Sequence, residues 1–175
     1  MSNIFFISDT HFNWKSIIKY DNRPFSSVEE MNEQLIKNWN GIVKSNDIVY
    51  HLGDFALGRV FDFKTRLRGN VHLILGNHDK LNCKEKKLFT TVSDIKYLKS
   101  TAPRIIMCHY PLRSWAPSLK GRIHLHGHCH GKLPAIDSIK CLDISDPVWN
   151  FTPIPLETIF QIFDGKIISP SKIGK

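Results

Sequence analysis

Leu75-Gly76-Asn77-His78-Asp79 is a polar cluster that ends a short apolar run over residues 71–75. An apolar run of this length predicts a buried strand, so the polar side chains are expected where that strand gives way to a loop. Loops at strand ends are the usual position of functional sites in layered α/β folds. The cluster is therefore the first candidate for one wall of a functional site.

Four further polar clusters also follow short apolar runs, and each carries a carboxylate or an imidazole. Together with the first cluster they supply two Asp, one Asn and four His as candidate metal ligands, and one further His for proton transfer. A set of this size suits a site with two metal ions. The four clusters are Asp9-Thr10-His11, Gly53-Asp54, His109 and Gly127-His128-Cys129-His130.

Length and composition are those of an ordinary globular protein. The chain has 175 residues, 42% hydrophobic and 23% charged, and this predicts a single domain over residues 1–175. No apolar stretch approaches the roughly 20 residues that span a bilayer, and no secretory signal precedes the first strand. A cytoplasmic protein without a membrane partner is therefore expected. The four scattered cysteines predict reduced thiols.

The charge balance favours an anionic partner. The chain carries 24 Lys and Arg against 16 Asp and Glu, a formal net charge of +8. A phosphoester substrate, including a nucleotide or a short nucleic acid, would be attracted by this charge. The sequence contains neither a phosphate-cradling glycine loop nor a Gly-x-Ser-x-Gly elbow, which argues against a nucleoside triphosphatase and a serine hydrolase.

The first half of the chain alternates predicted strands and helices. A doubled capping-box pattern, Ser26 and Ser27 before Glu29 and Glu30, starts the clearest helix, which shows helical spacing of apolar residues to Ile42. The order predicts a βαβ core with parallel strands, whose carboxyl ends share one edge of the sheet. The predicted strands are residues 4–7, 48–52 and 71–75, and the second helix is residues 60–67.

The second half predicts a second sheet packed on the first. Its predicted strands are residues 90–97, 104–108, 122–125 and 138–142. Residues 158–169 fit a helix, because Pro155 suits a first helical turn, or a hairpin at Asp164-Gly165. The helix is preferred.

The spacing of the clusters indicates how two ions could be held. Asp9 and His11 are two residues apart, so in an extended chain both side chains project to one side and can share an ion. Asp54 can bridge two ions with its two carboxylate oxygens. Asn77, His109 and His128 can complete the coordination of the second ion. His130 can complete the coordination of the first. Mixed nitrogen and oxygen ligands suit manganese first, with iron, nickel or zinc as alternatives.

The remaining candidates concern proton transfer and substrate binding. His78, next to Asn77, is placed to protonate a leaving group as general acid, and Asp79 is a candidate to orient it. Arg23, Tyr110 and Arg113 are candidates for gripping a phosphate or stacking on a base, as is Trp115. His124 and His126 are expected in packing or supporting contacts. His51 and His72 lie inside predicted strands and are expected to be core or interface residues.

These motifs occur in the order found in the calcineurin-like metallophosphoesterase family, which the chain resembles. They are Asp-x-His, Gly-Asp, Gly-Asn-His-Asp, a lone His and Gly-His-x-His, and they span Asp9 to His130. Arg23-Pro24-Phe25, the helix after it and Trp149-Asn150-Phe151 further resemble a small single-domain subgroup of bacteria and phages. The sequence departs from the family at Cys129, where Thr is frequent.

The resemblance implies an α/β fold, a four-layer αββα sandwich of two mixed β-sheets flanked by helices. It also implies two divalent metal ions and His78 as the acid. The first ion would be held by Asp9, His11, Asp54 and His130, and the second by Asp54, Asn77, His109 and His128.

The expected function is a dinuclear metal-dependent phosphoesterase in which a metal-bridging hydroxide attacks a phosphodiester. A diester is favoured over a monoester because its poor leaving group benefits from an acid such as His78. One alternative is a nuclease or phosphatase that processes nucleic acid, as the net charge of +8 indicates. Another is a non-catalytic metal-dependent binding module, although no ligand or acid position is lost.

Overall fold

The first of two sheets is built from the strands of the first half of the chain. The protein is represented by a computed structural model that describes residues 2–115, 121–134, 139–168 and 170. The spatial order of the strands is β4-β3-β2-β1-β9; β1 to β4 run parallel, and β9 is antiparallel to β1. Their bounds are β1 (Ile4–Ile7), β2 (Ile48–His51), β3 (Asn70–Ile74), β4 (Thr91–Ser93) and β9 (Ile154–Pro155).

The predicted βαβ core is confirmed. Ile4 of β1 lies beside Ile48 of β2, and Ile48 lies beside Asn70 of β3, all in parallel register. Because parallel strands end at the same edge of a sheet, the loops after β1, β2 and β3 meet there. Those loops carry Asp9, Asp54 and Asn77.

The second sheet has the order β5-β6-β7-β8, with β5 antiparallel to β6 and the rest parallel. The prediction of a single strand over residues 90–97 is wrong. It is two strands in different sheets, because the chain leaves the first sheet at the exposed Asp94. Residue 138 of another predicted strand lies outside the described residues. The bounds are β5 (Ile95–Leu98), β6 (Ile105–Cys108), β7 (Ile123–His126) and β8 (Cys141–Asp143).

Five α-helices lie within the described residues. Ser27 caps the N-terminus of α2 by accepting a hydrogen bond from the Glu30 N–H at 3.1 Å, as the capping-box pattern predicts. Residues 156–163 form a helix, which confirms the preferred prediction over residues 158–163. The helix ends at Phe163, so the predicted extension over residues 164–168 is wrong, and residue 169 lies outside the described residues. The bounds are α1 (Lys15–Tyr20), α2 (Val28–Ile42), α3 (Val60–Lys64), α4 (Cys83–Lys86) and α5 (Leu156–Phe163).

Two apolar cores separate these layers. One face of the first sheet packs on α1, α2 and α3 through residues such as Phe12, Leu35 and Trp39. The other face packs on the second sheet through residues such as Phe6, Met107 and Leu125, and Ile159 of α5 joins this core. The predicted α/β architecture of two mixed sheets with helices is confirmed. Throughout the described residues, every helix is too short or too polar to cross a membrane.

A backbone connection joins the two sheets beneath the loops after β1. The Ser8 N–H donates to the carbonyl oxygen of Ile144 at 3.2 Å, and the Asp146 N–H donates to the Ser8 carbonyl at 2.8 Å. This connection places the end of β1 against the segment after β8. The polar clusters from both halves of the chain are therefore brought to one edge of the molecule.

Candidate active site

The five polar clusters predicted from the sequence meet in one cleft. Ligand atoms of Asp9, His11 and His130 lie within 4.8 Å of one another, and so do those of Asp9, Asp54 and His109. The cleft has a volume of about 160 Å³. Its lining comprises His11, Trp14, Ile17, Tyr20, Asp21, Asp54, Asn77, His78, His128, Cys129, His130 and Lys132.

The Asp54 carboxylate belongs to the second group and lies between His109 of that group and His11 of the first. Its Oδ2 is 3.7 Å from Nε2 of His11 on one side and 3.5 Å from Nε2 of His109 on the other. The other oxygen, Oδ1, accepts a hydrogen bond of 2.9 Å from the His78 N–H. One carboxylate thus faces both groups, which is the geometry that a bridging ligand requires.

Asp9 is fully buried and is held by the last of the five clusters. Its two oxygens accept hydrogen bonds of 3.1 and 3.0 Å from the His128 N–H, and Oδ1 lies 3.3 Å from Nε2 of His130. The backbone at Gly127 lies so close to this carboxylate that an added Cβ would be 2.3 Å from Asp9 Oδ2. Glycine is therefore required at position 127 to bring β1 and β7 together.

Asn77 and His109 converge on the same space. The amide oxygen of Asn77 lies 3.1 Å from Nε2 of His109 and 3.0 Å from Nδ1 of His128. Nδ1 of His109 lies 2.7 Å from the carbonyl oxygen of Leu52, to which only a protonated nitrogen can donate. In a neutral imidazole this leaves the lone pair on Nε2, the atom that faces Asp54 and Asn77.

The backbone at the site is strained. Five of the seven candidate ligands have a positive φ, a backbone conformation that residues other than glycine rarely adopt. Such strain persists only where the surrounding structure holds it, and it concentrates at functional sites. The five are Asp9 (φ 61°), His11 (φ 46°), Asp54 (φ 55°), His128 (φ 67°) and His130 (φ 48°).

Burial and charge set the protonation of these groups. Burial lowers the pKa of His11 to about 2, so its imidazole is neutral and has a lone pair to donate. Burial, together with the charge of Asp9, raises the pKa of Asp54. Burial would also raise the pKa of Asp9, but the hydrogen bond and charge of His130 outweigh it and hold that pKa below its usual range. A bound cation would relieve the repulsion between the two carboxylates.

The donor set fits divalent metal ions. It combines carboxylate and amide oxygens with imidazole nitrogens, which suits manganese, iron, zinc or nickel better than calcium. The ligand atoms lie in two overlapping groups that share Asp9, with Asp54 facing both. All seven residues predicted as ligands are in or beside these groups.

His78 lies at the mouth of the cleft. Its side chain is 43% exposed, and Nε2 is 3.9 Å from Asp54 Oδ2. The ring of Trp14 lies 4.8 Å from the rings of both His78 and His11, measured between centroids. His78 is therefore supported by an aromatic side chain on one side and remains open to solvent on the other.

Asp79, the candidate to orient His78, is hydrogen-bonded to the backbone. Its carboxylate accepts hydrogen bonds from the N–H groups of Asp54 (2.7 Å), Phe55 (2.9 Å) and Gly76 (2.8 Å). Asp79 thus ties the loop after β3 to the loop after β2. Burial raises the pKa of this carboxyl group. These hydrogen bonds hold the backbone of Asp54 and the start of the loop that carries His78.

Arg23 lies beneath the cleft and does not face a substrate, which contradicts its prediction as a phosphate-gripping residue. Only 4% of the residue is exposed. Nη1 and Nη2 donate to the two oxygens of Asp146 at 3.2 and 2.9 Å, and Nη2 also donates to the carbonyl oxygen of Asp9 at 2.8 Å. Arg23 therefore supports the backbone of Asp9 from below.

The other predicted substrate-binding residues are separated by the structure. Tyr110 is at the rim, with its ring 4.9 Å from that of His128. Arg113 is exposed and borders a different cavity of about 260 Å³ with His126 and Leu133. Trp115 is buried against His124, at 5.1 Å between ring centroids, so it does not stack on a base.

Besides the apolar Ile17, four residues that line the cleft were not predicted from the sequence: Trp14, Tyr20, Asp21 and Lys132. The first three lie in and beside α1, for which the sequence analysis predicts no helix. Their neighbours in the cleft are far away in the sequence; Asp21 and His130 are 109 residues apart. The one local signal is that Lys132 follows two residues after His130.

Comparison with known sequences identifies one family. The sequence model of the calcineurin-like phosphoesterase family matches residues 2–162. An uncharacterized protein of Methanocaldococcus jannaschii is 38% identical over 179 residues, covering 96% of this chain and 96% of its own. The gene 66 protein of Mycobacterium phage L5 is 30% identical over 166 residues, covering 76% of this chain and 80% of its own.

Solved structures share the fold. A protein of unknown function from Aquifex aeolicus superposes with a TM-score of 0.72 at 23% identity, covering 95% of this chain and 100% of that one. A structure described as a novel archaeal phosphodiesterase gives a TM-score of 0.51 at 20% identity, covering 81% and 82%. At these identities the likeness extends to the fold alone.

Proposed function

This chain belongs to the calcineurin-like phosphoesterase family, and we propose that within this family it is a phosphodiesterase that uses two divalent metal ions. The family makes the protein a hydrolase that acts on phosphoesters with the help of divalent metals. The number of ions, the role of His78 and the preference for diesters are the proposal. The observation that carries it is the position of Asp54 Oδ2 between His11 and His109, with Nε2 of His78 3.9 Å from the same oxygen.

Asp54 supports a site for two ions. Its Oδ2 is 3.7 Å from His11 and 3.5 Å from His109, so ions on either side could share this carboxylate. When bound, such ions neutralise charge on the phosphate and make a water molecule acidic enough to supply the nucleophile. The first ion is assigned to Asp9, His11, Asp54 and His130, and the second to Asp54, Asn77, His109 and His128. Manganese is the preferred ion, with iron, nickel and zinc as alternatives.

His78 is assigned to protonate the leaving oxygen. Its imidazole is close to Asp54, whose Oδ2 lies 3.9 Å away, yet 43% of its side chain is open to the cleft. An acid in this position matters most for a leaving group that departs poorly as an anion, such as the alkoxide released from a diester. Trp14 limits where the ring can move, because it packs against both His78 and His11.

The experiment that tests this function uses metal-stripped protein with manganese, nickel, zinc or magnesium added back. The substrates are bis(p-nitrophenyl) phosphate, p-nitrophenyl phosphate and a diester with an alkyl leaving group. Wild type is compared with Asp54→Asn, His78→Ala and the control His72→Ala, which removes a histidine that bonds to Thr91 away from the cleft. We expect metal-dependent hydrolysis of the diesters that Asp54→Asn abolishes and His72→Ala leaves intact.

The leaving group distinguishes an acid from a structural histidine. His78→Ala should slow release of an alkyl group by about 10²–10⁴-fold but affect release of p-nitrophenolate much less, because p-nitrophenolate leaves without a proton. Equal losses with both leaving groups would contradict the role of His78. Hydrolysis of the monoester alone would contradict the preference for diesters, and no turnover with any metal would favour a binding module.

A further inference from the structure

We infer that Tyr20 and Lys132 form a subsite for a nucleobase, so that the phosphodiester substrate of the proposed function carries a nucleoside next to the scissile phosphate. Both residues line the cleft that contains Asp54, Asn77 and His128. The inference rests on the proposed function for the position of the phosphate. It adds the chemical class of the group attached to that phosphate.

Tyr20 presents an aromatic face to solvent at the edge of the cleft. It is the last residue of α1, and 76% of it is exposed. A single exposed aromatic is common on protein surfaces, but this one borders the candidate metal ligands. Beyond it the surface remains open, with a hollow of about 510 Å³ bordered by Ser16 and Lys19. The Tyr20 ring therefore borders both the cleft and open surface, where a flat group could lie against it.

Lys132 is held close to the same ring. Its Nζ lies 5.9 Å from the centroid of the Tyr20 ring and 3.2 Å from Oδ1 of Asp21. The side chain of Asp21 is only 3% exposed, so the ammonium group has a fixed anchor beside the cleft. Lys132 itself is 63% exposed and can still contact a ligand. A cation fixed beside an aromatic ring is a more specific feature than either group alone.

This pair matches a nucleoside better than a simple alcohol. Stacking on an aromatic ring is available to every base because each has a π-face, and a nearby cation adds to the attraction. A ribose or an alkyl group offers no π-face, so it should gain less from the Tyr20 ring than a base does.

Calorimetric titration of the manganese-loaded protein tests the subsite directly. Adenosine 5′-monophosphate and ribose 5-phosphate present the same phosphate, but only the first carries a base. We expect adenosine 5′-monophosphate to bind about tenfold more tightly than ribose 5-phosphate, because stacking of the base strengthens binding by roughly this factor or more. Tyr20→Ala should abolish the difference, whereas Tyr20→Phe should keep it. Lys132→Gln should reduce it.

Tyr97→Ala is the matched control, because Tyr97 is 50% exposed on the second sheet and is not part of the cleft. It should leave the affinity difference unchanged. Tyr20 is so exposed that its replacement should not lower the unfolding temperature, which thermal unfolding checks. Equal affinities of wild type for the two phosphates would overturn the subsite while leaving the phosphate site in place. Failure of both phosphates to bind, together with no hydrolysis of model diesters, would overturn the proposed function as well.

Discussion

The Asp21 carboxylate accepts a hydrogen bond from Nδ1 of His130, although the two residues are 109 positions apart in the chain. The other nitrogen of His130, Nε2, lies 3.3 Å from Asp9 Oδ1, so the ring is fixed between two carboxylates. Burial opposes protonation of this imidazole, but its hydrogen bonds to Asp21 and Asp9 outweigh burial and raise the pKa of His130 to about 10. Asp21 thereby fixes which nitrogen of His130 faces the candidate metal site.

Replacing Asp21 should therefore weaken metal binding at one of the two sites. For Asp21→Asn we expect the affinity for manganese to fall about 10–100-fold at one site and to change little at the other, because a carboxylate behind a ligating histidine orients that ring. Titration calorimetry of metal-stripped protein measures both affinities. Asp62→Asn, at an exposed carboxylate paired with Arg59, is the control. Unchanged binding at both sites in Asp21→Asn would refute this role.

Arg23 should contribute far more to stability than an exposed arginine with equally short contacts. Arg23→Met leaves the buried Asp146 without its partner, and the loss of one member of such a pair costs about 3–5 kcal/mol of unfolding free energy. The control Arg66→Met removes an exposed pair with Glu33, for which about 0–1 kcal/mol is expected. Urea unfolding of both variants gives the comparison. Similar losses for the two would show that burial of Arg23 does not decide its contribution.

Gly127→Ala should damage the metal site through Asp9. The added Cβ would lie 2.0 Å from Ser8 Oγ and 2.3 Å from Asp9 Oδ2, so one of these groups must move. We expect weaker manganese binding and a loss of about 1–3 kcal/mol in unfolding free energy from overpacking. Gly41→Ala in α2 is the matched control, because nothing lies within 4 Å of its added Cβ. That variant should be more stable by about 0.5–1 kcal/mol, and a stable, metal-binding Gly127→Ala would contradict the expected clash.

His124 should make the fold sensitive to acid. Burial lowers the pKa of His124 to about 4, and in the unfolded chain the value returns to 6.5. The unfolded state therefore takes up a proton as the pH falls below 6.5 while the folded state does not. The stability that the neutral, buried His124 contributes is therefore complete above pH 6.5 and is lost as the pH falls towards 4.

The variant His124→Gln measures this effect. Nε2 of His124 accepts a hydrogen bond of 3.1 Å from the Leu112 N–H, and the Gln oxygen can take over that role without titrating. Between neutral pH and a pH near the folded pKa, the unfolding free energy of wild type should fall by about 3 kcal/mol more than that of the variant. Urea unfolding in the presence of a chelator at both pH values gives the difference. Parallel pH profiles would mean that His124 is not responsible.

The sequence by itself determined the parts of this protein that depend on neighbours within a few residues. The parallel βαβ core followed from short apolar runs separated by a capped helix, and the seven candidate ligands followed from polar residues at strand ends. Because parallel strands end at one edge, this local information was enough to predict that Asp9, Asp54 and Asn77 would meet.

The tertiary structure alone decided which distant side chains became partners. Arg23 pairs with Asp146, 123 residues away, and was therefore mistaken for a phosphate ligand. The packing of one sheet on the other also split the strand predicted over residues 90–97 and brought Lys132 beside Tyr20. Such contacts arise when two layers bury their apolar faces against each other, and no periodicity along the chain records which polar residues that packing will bring together.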